Sequence, residues 1–194
     1  MNTTYEASVT HNKVQSNNIR IDLIHKIDRA KFFETQSDIN EQINNLLISI
    51  CKQVFAESYE KGGKEAGAVY DILRDLYAIH KATRYGVVDF IEDTSEMYYK
   101  IYSTIEDFNG IIIHNHNTPD TFSKGDIVNF LKDKAISVII VITCNADIFI
   151  LVKEEVKDYE KLAIEINSQY KTDMITPNIK SLLSENNLRI RRIV

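Results

Sequence analysis

The chain of 194 residues has only two cysteines, Cys51 and Cys144, which stand far apart in apolar stretches. Two cysteines leave room for one disulfide at most. We expect buried free thiols in a reducing cytoplasm, with that single disulfide as the alternative. No apolar run approaches the roughly 20 residues that a membrane-spanning helix needs. The polar segment 1–18 lacks the apolar centre of a secretory signal, so we expect a cytoplasmic protein without a membrane partner.

Positive charge is also scarce, because 23 lysines and arginines face 28 acidic residues and leave a net charge of −5. A general nucleic-acid-binding protein needs a basic surface for its phosphate contacts, so we do not expect nucleic acid as a partner. The sequence has no internal repeats and no low-complexity tract. Its 44% hydrophobic and 26% charged residues are typical of a globular protein, long enough for one domain with an extension.

Residues 1–83 predict an N-terminal extension that is mainly helical. Residues 18–24 alternate apolar and polar side chains, which predicts a short strand. A start signal at Asp38 and an apolar stripe at helical spacing predict a helix that ends at Gly62-Gly63. Residues 64–81 show the same spacing and predict a second helix.

From Tyr85 the apolar spacing changes to the alternating period of strands, which predicts an α/β domain of the α+β type over residues 84–170. The run 136–143 is almost wholly apolar and β-branched, as in a central strand buried on both faces. A tail, residues 171–194, contains Pro177 and a basic end that predicts an edge strand or an arm. The predicted strands are 85–91, 97–103, 110–113, 136–143 and 148–152, with helices after Ser123, at 154–170 and near 180–184.

Two histidines stand where the strand 110–113 ends. Side chains two apart on an extended chain point to the same side, so His114 and His116 can converge on one point. Ser123 and Asp126 follow as a capping box before a helix. Two neutral imidazoles and one carboxylate are the ligands of a catalytic zinc site with its fourth position left for water. The alternative is a chance histidine pair beside an ordinary helix cap.

The stretch from His114 to Asp126 resembles the motif of the JAMM metallopeptidases, also called JAB or MPN+ domains: His-x-His, a short loop and Ser-x-x-Asp. It is most similar to the bacterial and phage branch of that family, and the resemblance covers about residues 84–170. It implies a mixed central sheet flanked by helices, with Zn²⁺ held by His114, His116 and Asp126. It also implies hydrolysis of an amide bond in a peptide, protein or ubiquitin-like substrate, with Ser123 stabilising the oxyanion. Asn117 departs from the proline that is usual in the family.

JAMM enzymes also use a glutamate, at the start of the first strand of the domain, as the general base. The pattern places that strand start near Arg84-Tyr85, where the sequence has no glutamate. Glu65 has the more usual sequence distance from the histidines, but a helix over 64–81 would hold it roughly 25 Å from the strand start, at 1.5 Å per residue. Glu106 follows a predicted strand that returns towards the site and is the weak remaining candidate. Asp120, in the ligand loop, is expected to be solvated.

Two further hypotheses stay open at this point. The absent glutamate and Asn117 are compatible with a degenerate member of the family that binds a partner without cutting it. The motif His-Asn-His is also similar to that of the RadC-like proteins, which are associated with DNA metabolism. The acidic balance argues against that role, although the basic residues 189–192 leave an opening for it.

Overall fold

A computed structural model describes residues 16–34, 38–81, 96–155, 158–169 and 171–194. Six strands form one mixed sheet: β1 (Ala66–Asp71), β2 (Leu76–Lys81), β3 (Gly110–Asn115), β4 (Ile136–Ile142), β5 (Ile148–Val152) and β6 (Arg191–Arg192). Their order across the sheet is β2-β1-β3-β4-β5-β6. Among the strands of the described residues, only the pair β3–β4 is parallel. The predicted α+β class, with a mixed sheet and flanking helices, is confirmed.

Helices cover both faces of the sheet. They are a 3-10 helix (Ile21–Arg29), α1 (Asp38–Glu60), α2 (Glu96–Tyr102), α3 (Lys124–Lys132), α4 (Glu160–Gln169) and α5 (Pro177–Glu185). Ile113 and Ile140 face the cluster formed with α1 and the 3-10 helix. Ile139 and Val141 face the opposite cluster, formed with α2 to α5. Every residue of β4 is buried, so the prediction of a central strand covered on both faces is confirmed.

The strand that leads into the histidines and the helix that follows them lie where the sequence placed them. β3 pairs in parallel with β4, with His114 opposite Val141. α3 begins directly after Ser123, whose side chain and that of Asp126 form the predicted capping box. The prediction that α1 ends near the two glycines is also confirmed, because α1 ends at Glu60 and both glycines have positive φ.

The predicted second helix over 64–81 is wrong, because these residues form the antiparallel hairpin β1–β2. All six residues of β1 are buried, so burial on both faces hides the alternation that normally reveals a strand. The turn has no glycine or proline. Instead, Oδ1 of Asp71 accepts hydrogen bonds from the amides of Leu73 and Arg74, and Asp75 adopts φ 53°. β1 also pairs antiparallel with β3, so it lies inside the sheet.

The predicted strand over 97–103 is wrong as well, because these residues belong to α2. Tyr98 and Ile101 are buried three residues apart, which is the helical spacing. Tyr98 and Tyr102 stack with ring centroids 6.2 Å apart. The predicted strand 85–91 lies outside the described residues.

Near the two ends of the described chain, the elements differ in part from the predicted ones. Residues 18–24 were predicted as a strand, but most of them enter the 3-10 helix, where Leu23, Ile24 and Ile27 pack on the core at spacings of three and four. At the other end, the tail ends in the edge strand β6. The predicted helix 154–170 is shorter than expected, because α4 begins at Glu160.

Both cysteines are buried and free, as predicted. In the part of the chain that the structure describes, no helix has the length and apolar character needed to cross a membrane.

Candidate metal centre

The two histidines converge at the end of β3. Both lie on the sheet face that α3 covers, and their Nε2 atoms are 3.1 Å apart. His114 is almost fully buried and His116 is 9% exposed. Nδ1 of His116 lies 3.3 Å from the carbonyl oxygen of Asp120, which favours the tautomer with hydrogen on Nδ1. Nε2 of His116 then carries the free electron pair that a metal ligand needs.

Asp126 combines helix capping with access to both imidazoles. Its Oδ1 lies 3.3 Å from Nε2 of His114, and its Oδ2 lies 3.3 Å from Nε2 of His116. Oδ2 also accepts a hydrogen bond from the amide of Ser123 at 2.6 Å. The capping box therefore orients the carboxylate towards the histidines, and the capping and ligand interpretations of the sequence are compatible.

His114, His116 and Asp126 form a group that could hold a metal ion. Ligand atoms about 2.1 Å from a tetrahedral zinc ion are about 3.4 Å from one another. The separation of 3.1 Å between the two Nε2 atoms is close to that edge length, and each Nε2 lies 3.3 Å from one of the two carboxylate oxygens of Asp126. Two imidazoles and one carboxylate are a donor set that fits a divalent metal ion such as zinc.

The pKa shifts of His116 and Asp126 indicate that a positive charge stabilises the group. Burial acts to lower the pKa of His116, but the hydrogen bond and charge of Asp126 outweigh burial and the pKa is raised. Burial acts to raise the pKa of Asp126, but the two imidazoles hold it well below its usual range. A shared positive charge, either a proton or a metal ion, therefore stabilises this cluster.

Glu65 lies in the same cavity, which contradicts the placement predicted from the sequence. It immediately precedes β1, in which Gly67 pairs with His114. Residues two apart on a strand face the same side, so the Glu65 side chain points to the face that carries both histidines. Burial raises the pKa of the Glu65 carboxyl, against the opposing effect of the nearby imidazoles. The sequence distance of Glu65 from the histidines was a signal for this proximity, and the wrong helix predicted over 64–81 obscured it.

A buried hydrogen-bond chain holds the backbone on both sides of Glu65. On one side, the amide of Ala66 donates to Oδ1 of Asn115 at 2.7 Å. Nδ2 of Asn115 donates to Oγ of Ser58 at 2.8 Å. Ser58 in turn donates to the carbonyl oxygen of Lys64 at 2.6 Å, on the other side of Glu65. Asn115 and Ser58 are both fully buried. Sequence reasoning did not identify either residue.

Asn117 ties the ligand loop to the N-terminal segment of the described chain. Its Oδ1 accepts from the amide of Asn18 at 2.9 Å, and its Nδ2 donates to the carbonyl oxygen of Ser16 at 3.0 Å. Its own carbonyl oxygen accepts from Nδ2 of Asn18 at 3.3 Å. Proline has no amide side chain and could not make the first two of these contacts.

The cavity above the group has a volume of about 590 Å³ and is lined by Glu65, both histidines, Ser123 and Asp126 among others. Oγ of Ser123 accepts from the amide of Asp126 at 3.0 Å, so its hydroxyl hydrogen remains available to a ligand. Asp120 also lines the cavity and is exposed, in line with the expected solvation. Glu106 is 64% exposed and lies 3.7 Å from Arg74, outside this cavity, so its candidacy as the base is not supported.

No family model, no curated protein and no solved structure matches the chain. The assignment of a function therefore depends on the geometry of the site.

Proposed function

We propose that this chain is a zinc-dependent amide hydrolase, a metallopeptidase or isopeptidase similar to the JAMM enzymes. One observation carries the proposal: a half-buried glutamate, Glu65, shares a cavity with two imidazoles and a carboxylate that together could hold a metal ion. The resemblance of residues 114–126 to the JAMM motif supports the same conclusion.

His114, His116 and Asp126 would hold the metal ion. When bound, a zinc ion polarises a carbonyl group and lowers the pKa of a bound water to about 7. The capping box and the contact of His116 with Asp120 fix two of the three ligand side chains before the metal arrives. This preorganisation lowers the cost of assembling the site.

Glu65 would act as the general base and then as the general acid. A carboxylate accepts a proton from water more readily when its pKa is raised towards neutrality, and burial raises the pKa of Glu65. The same carboxyl then delivers that proton to the departing amine. Ser123, the N-cap residue of α3, would donate its hydroxyl hydrogen to the oxyanion that develops on the carbonyl oxygen of the substrate.

Two observations favour an active hydrolase over a degenerate binding protein. The glutamate that appeared to be absent near Arg84-Tyr85 has a counterpart in Glu65, which precedes the strand paired with β3. Asn117 replaces proline but makes contacts that hold the ligand loop. Neither feature argues against turnover.

The deciding experiment measures zinc per chain and peptide hydrolysis in the wild type and in Asp126→Asn. Asparagine keeps an oxygen for the Ser123 amide, so the helix cap survives while the anionic ligand is lost. We expect about one zinc in the wild type, little in the variant, and hydrolysis of a fluorogenic peptide library only by the wild type.

Asp173→Asn is the matched control, because Asp173 lines the same cavity but lies outside the ligand group. It should retain zinc. A folded wild type that binds no zinc, or an Asp126→Asn variant with unchanged zinc, would contradict the proposal.

A further inference from the structure

A second groove of about 360 Å³ continues the metal cavity towards the edge of the sheet. Thr121 and Lys180 line both spaces, so the two are contiguous. Phe149 and Arg192, which pair across β5 and β6, lie on the groove wall. The groove therefore starts beside the ligand loop and ends at β6, the edge strand of the sheet.

The groove combines an apolar floor with a positively charged rim. Leu183, Leu188 and Ile190 are among its apolar lining residues. Lys180, Arg189 and Arg192 supply the charge, and no acidic side chain lines the groove among the described residues. This composition contrasts with the metal cavity, where Glu65, Asp120, Asp126 and Asp173 face a single lysine, and with the net charge of −5 for the whole chain.

Two of these three cations are available to a ligand. Nη2 of Arg192 is already bound to Oδ1 of Asp147 at 2.9 Å. Lys180 and Arg189 are exposed, and neither is in an ion pair within the described part of the chain. A bound anionic group would therefore meet two cations outside ion pairs, Arg189 in the groove and Lys180 at its boundary with the metal cavity, beside an apolar surface.

We propose that the substrate is a peptide whose extended segment runs from the metal centre past Thr121 into this groove, where acidic side chains pair with Lys180 and Arg189. The assignment of the scissile amide to the metal centre rests on the proposed function above. From β3 to β6 the sheet spans three strand intervals of about 4.8 Å, a length covered by about four extended residues. Because β6 is the far end of the groove and Lys180 also lines the metal cavity, the acidic side chains lie within about four residues of the scissile bond.

The apolar floor favours a peptide over a nucleic acid, the other common anionic ligand. A peptide can place alternate side chains on the floor and on the charged rim. A strand of nucleic acid is held chiefly by many phosphate contacts along a basic surface, and the described residues of this groove offer two cations outside ion pairs.

The test uses zinc-loaded Glu65→Gln protein, in which binding is measured without turnover. Two fluorescein-labelled peptides of ten residues are compared. The acidic peptide has three adjacent glutamates, and the neutral peptide has glutamines at the same three positions. We expect the acidic peptide to bind about 10-fold more tightly by fluorescence anisotropy, and this preference to shrink as salt is added.

The double change Lys180→Glu and Arg189→Glu, made in the same background, should abolish the preference. Arg29→Glu with Lys161→Glu is the matched control, because both residues are exposed and lie outside the groove. It alters the net charge equally and should leave the preference intact. Equal binding of the two peptides, or equal effects of the two double variants, would overturn the proposal. So would tighter binding of a labelled ten-nucleotide single strand through Lys180 and Arg189.

Hydrolysis of the acidic peptide by the zinc-loaded wild type separates this proposal from the proposed function. Selective binding without hydrolysis would assign the groove to an acidic peptide ligand and count against an amide hydrolase. Hydrolysis with no preference for the acidic peptide would support the hydrolase and overturn the groove assignment.

Discussion

The amide nitrogen of Ala66 donates to Oδ1 of Asn115 at 2.7 Å, and this bond joins the start of β1 to the residue between the two histidines. The residue before Ala66 is Glu65, so the bond locates the proposed general base relative to the metal ligands. Asn115 is fully buried, and its Nδ2 is fixed in turn by Ser58. We infer that Asn115 and Ser58 are positioning residues for Glu65.

Ser58→Ala should lower kcat by about 10-fold while KM and zinc content stay unchanged, because the backbone beside Glu65 loses a support and the carboxyl moves from its productive position. The free energy of unfolding should fall by about 1–3 kcal/mol, because two buried hydrogen bonds are lost and their partners are left unpaired. Ser137→Ala is the matched control, since Ser137 is also buried and donates to a backbone carbonyl, that of Gly110 at the other end of β3. It should lose about 1 kcal/mol of stability with no change in kcat, and an equal loss of kcat in both variants would argue against positioning.

Glu65→Gln should retain zinc and lose hydrolysis by about 10²–10⁴-fold, the usual contribution of general acid–base catalysis. Glutamine keeps the size of the side chain and removes the proton acceptor. Metal analysis and steady-state kinetics check the two expectations separately. Glu106→Gln, which changes an exposed carboxylate beside Arg74, should leave both quantities unchanged. Wild-type rates in Glu65→Gln would leave the site without its proposed base.

Gly63→Ala should destabilise the protein by about 1–3 kcal/mol, because a residue with a side chain is strained in this conformation. Gly63 adopts φ +85°, and an added Cβ would stand 2.8 Å from Oδ1 of Asn117. Displacement of the Asn117 side chain should also speed hydrogen exchange at the amide of Asn18, because that amide donates to Oδ1 of Asn117.

Gly125→Ala provides the comparison for Gly63→Ala. It lies in α3, where the nearest atom to a new Cβ is Oγ of Ser123 at 3.5 Å. Alanine has the higher helix propensity, so stability should be unchanged or rise by about 0.5–1 kcal/mol. Thermal denaturation of both variants measures the contrast, and equal losses would contradict the strain argument.

Asp147→Asn should cost about 1 kcal/mol at pH 7, and the cost should shrink as the pH falls. Asp147 accepts from Lys26 at 2.6 Å and from Arg192 at 2.9 Å. Burial acts to raise the pKa of Asp147, but these two partners outweigh it and lower the pKa below the ordinary value of 3.8.

The sign of the pH effect follows from this lowered pKa. Above the ordinary value the folded carboxylate is stabilised relative to the unfolded one. That contribution disappears as the pH falls through the lowered pKa of the folded state. Urea denaturation at pH 7 and pH 3.5 should show the difference between wild type and Asp147→Asn becoming smaller. Asp28→Asn, in the more exposed pair with Lys52, should change stability by less than about 0.5 kcal/mol at either pH. A cost of Asp147→Asn that does not vary with pH would contradict the assignment.

Local sequence patterns are sufficient to predict β3, β4, β5 and the capped start of α3. In these segments local rules suffice: a two-residue period aligns His114 with His116, and a capping box orients Asp126. The grouping of the three ligand atoms follows from those local rules and the short loop between them.

The position of Glu65 depends on strand pairing between distant parts of the chain. β1 is an interior strand buried on both faces, so its apolar residues do not alternate with polar ones, and its turn to β2 uses aspartate side chains instead of glycine or proline. The spacing of residues 64–81 therefore resembled a helix. Pairing with β3 overrides that local preference, because burial of a whole strand in the sheet contributes more free energy than helix propensity. The same pairing brings Glu65 to the histidines.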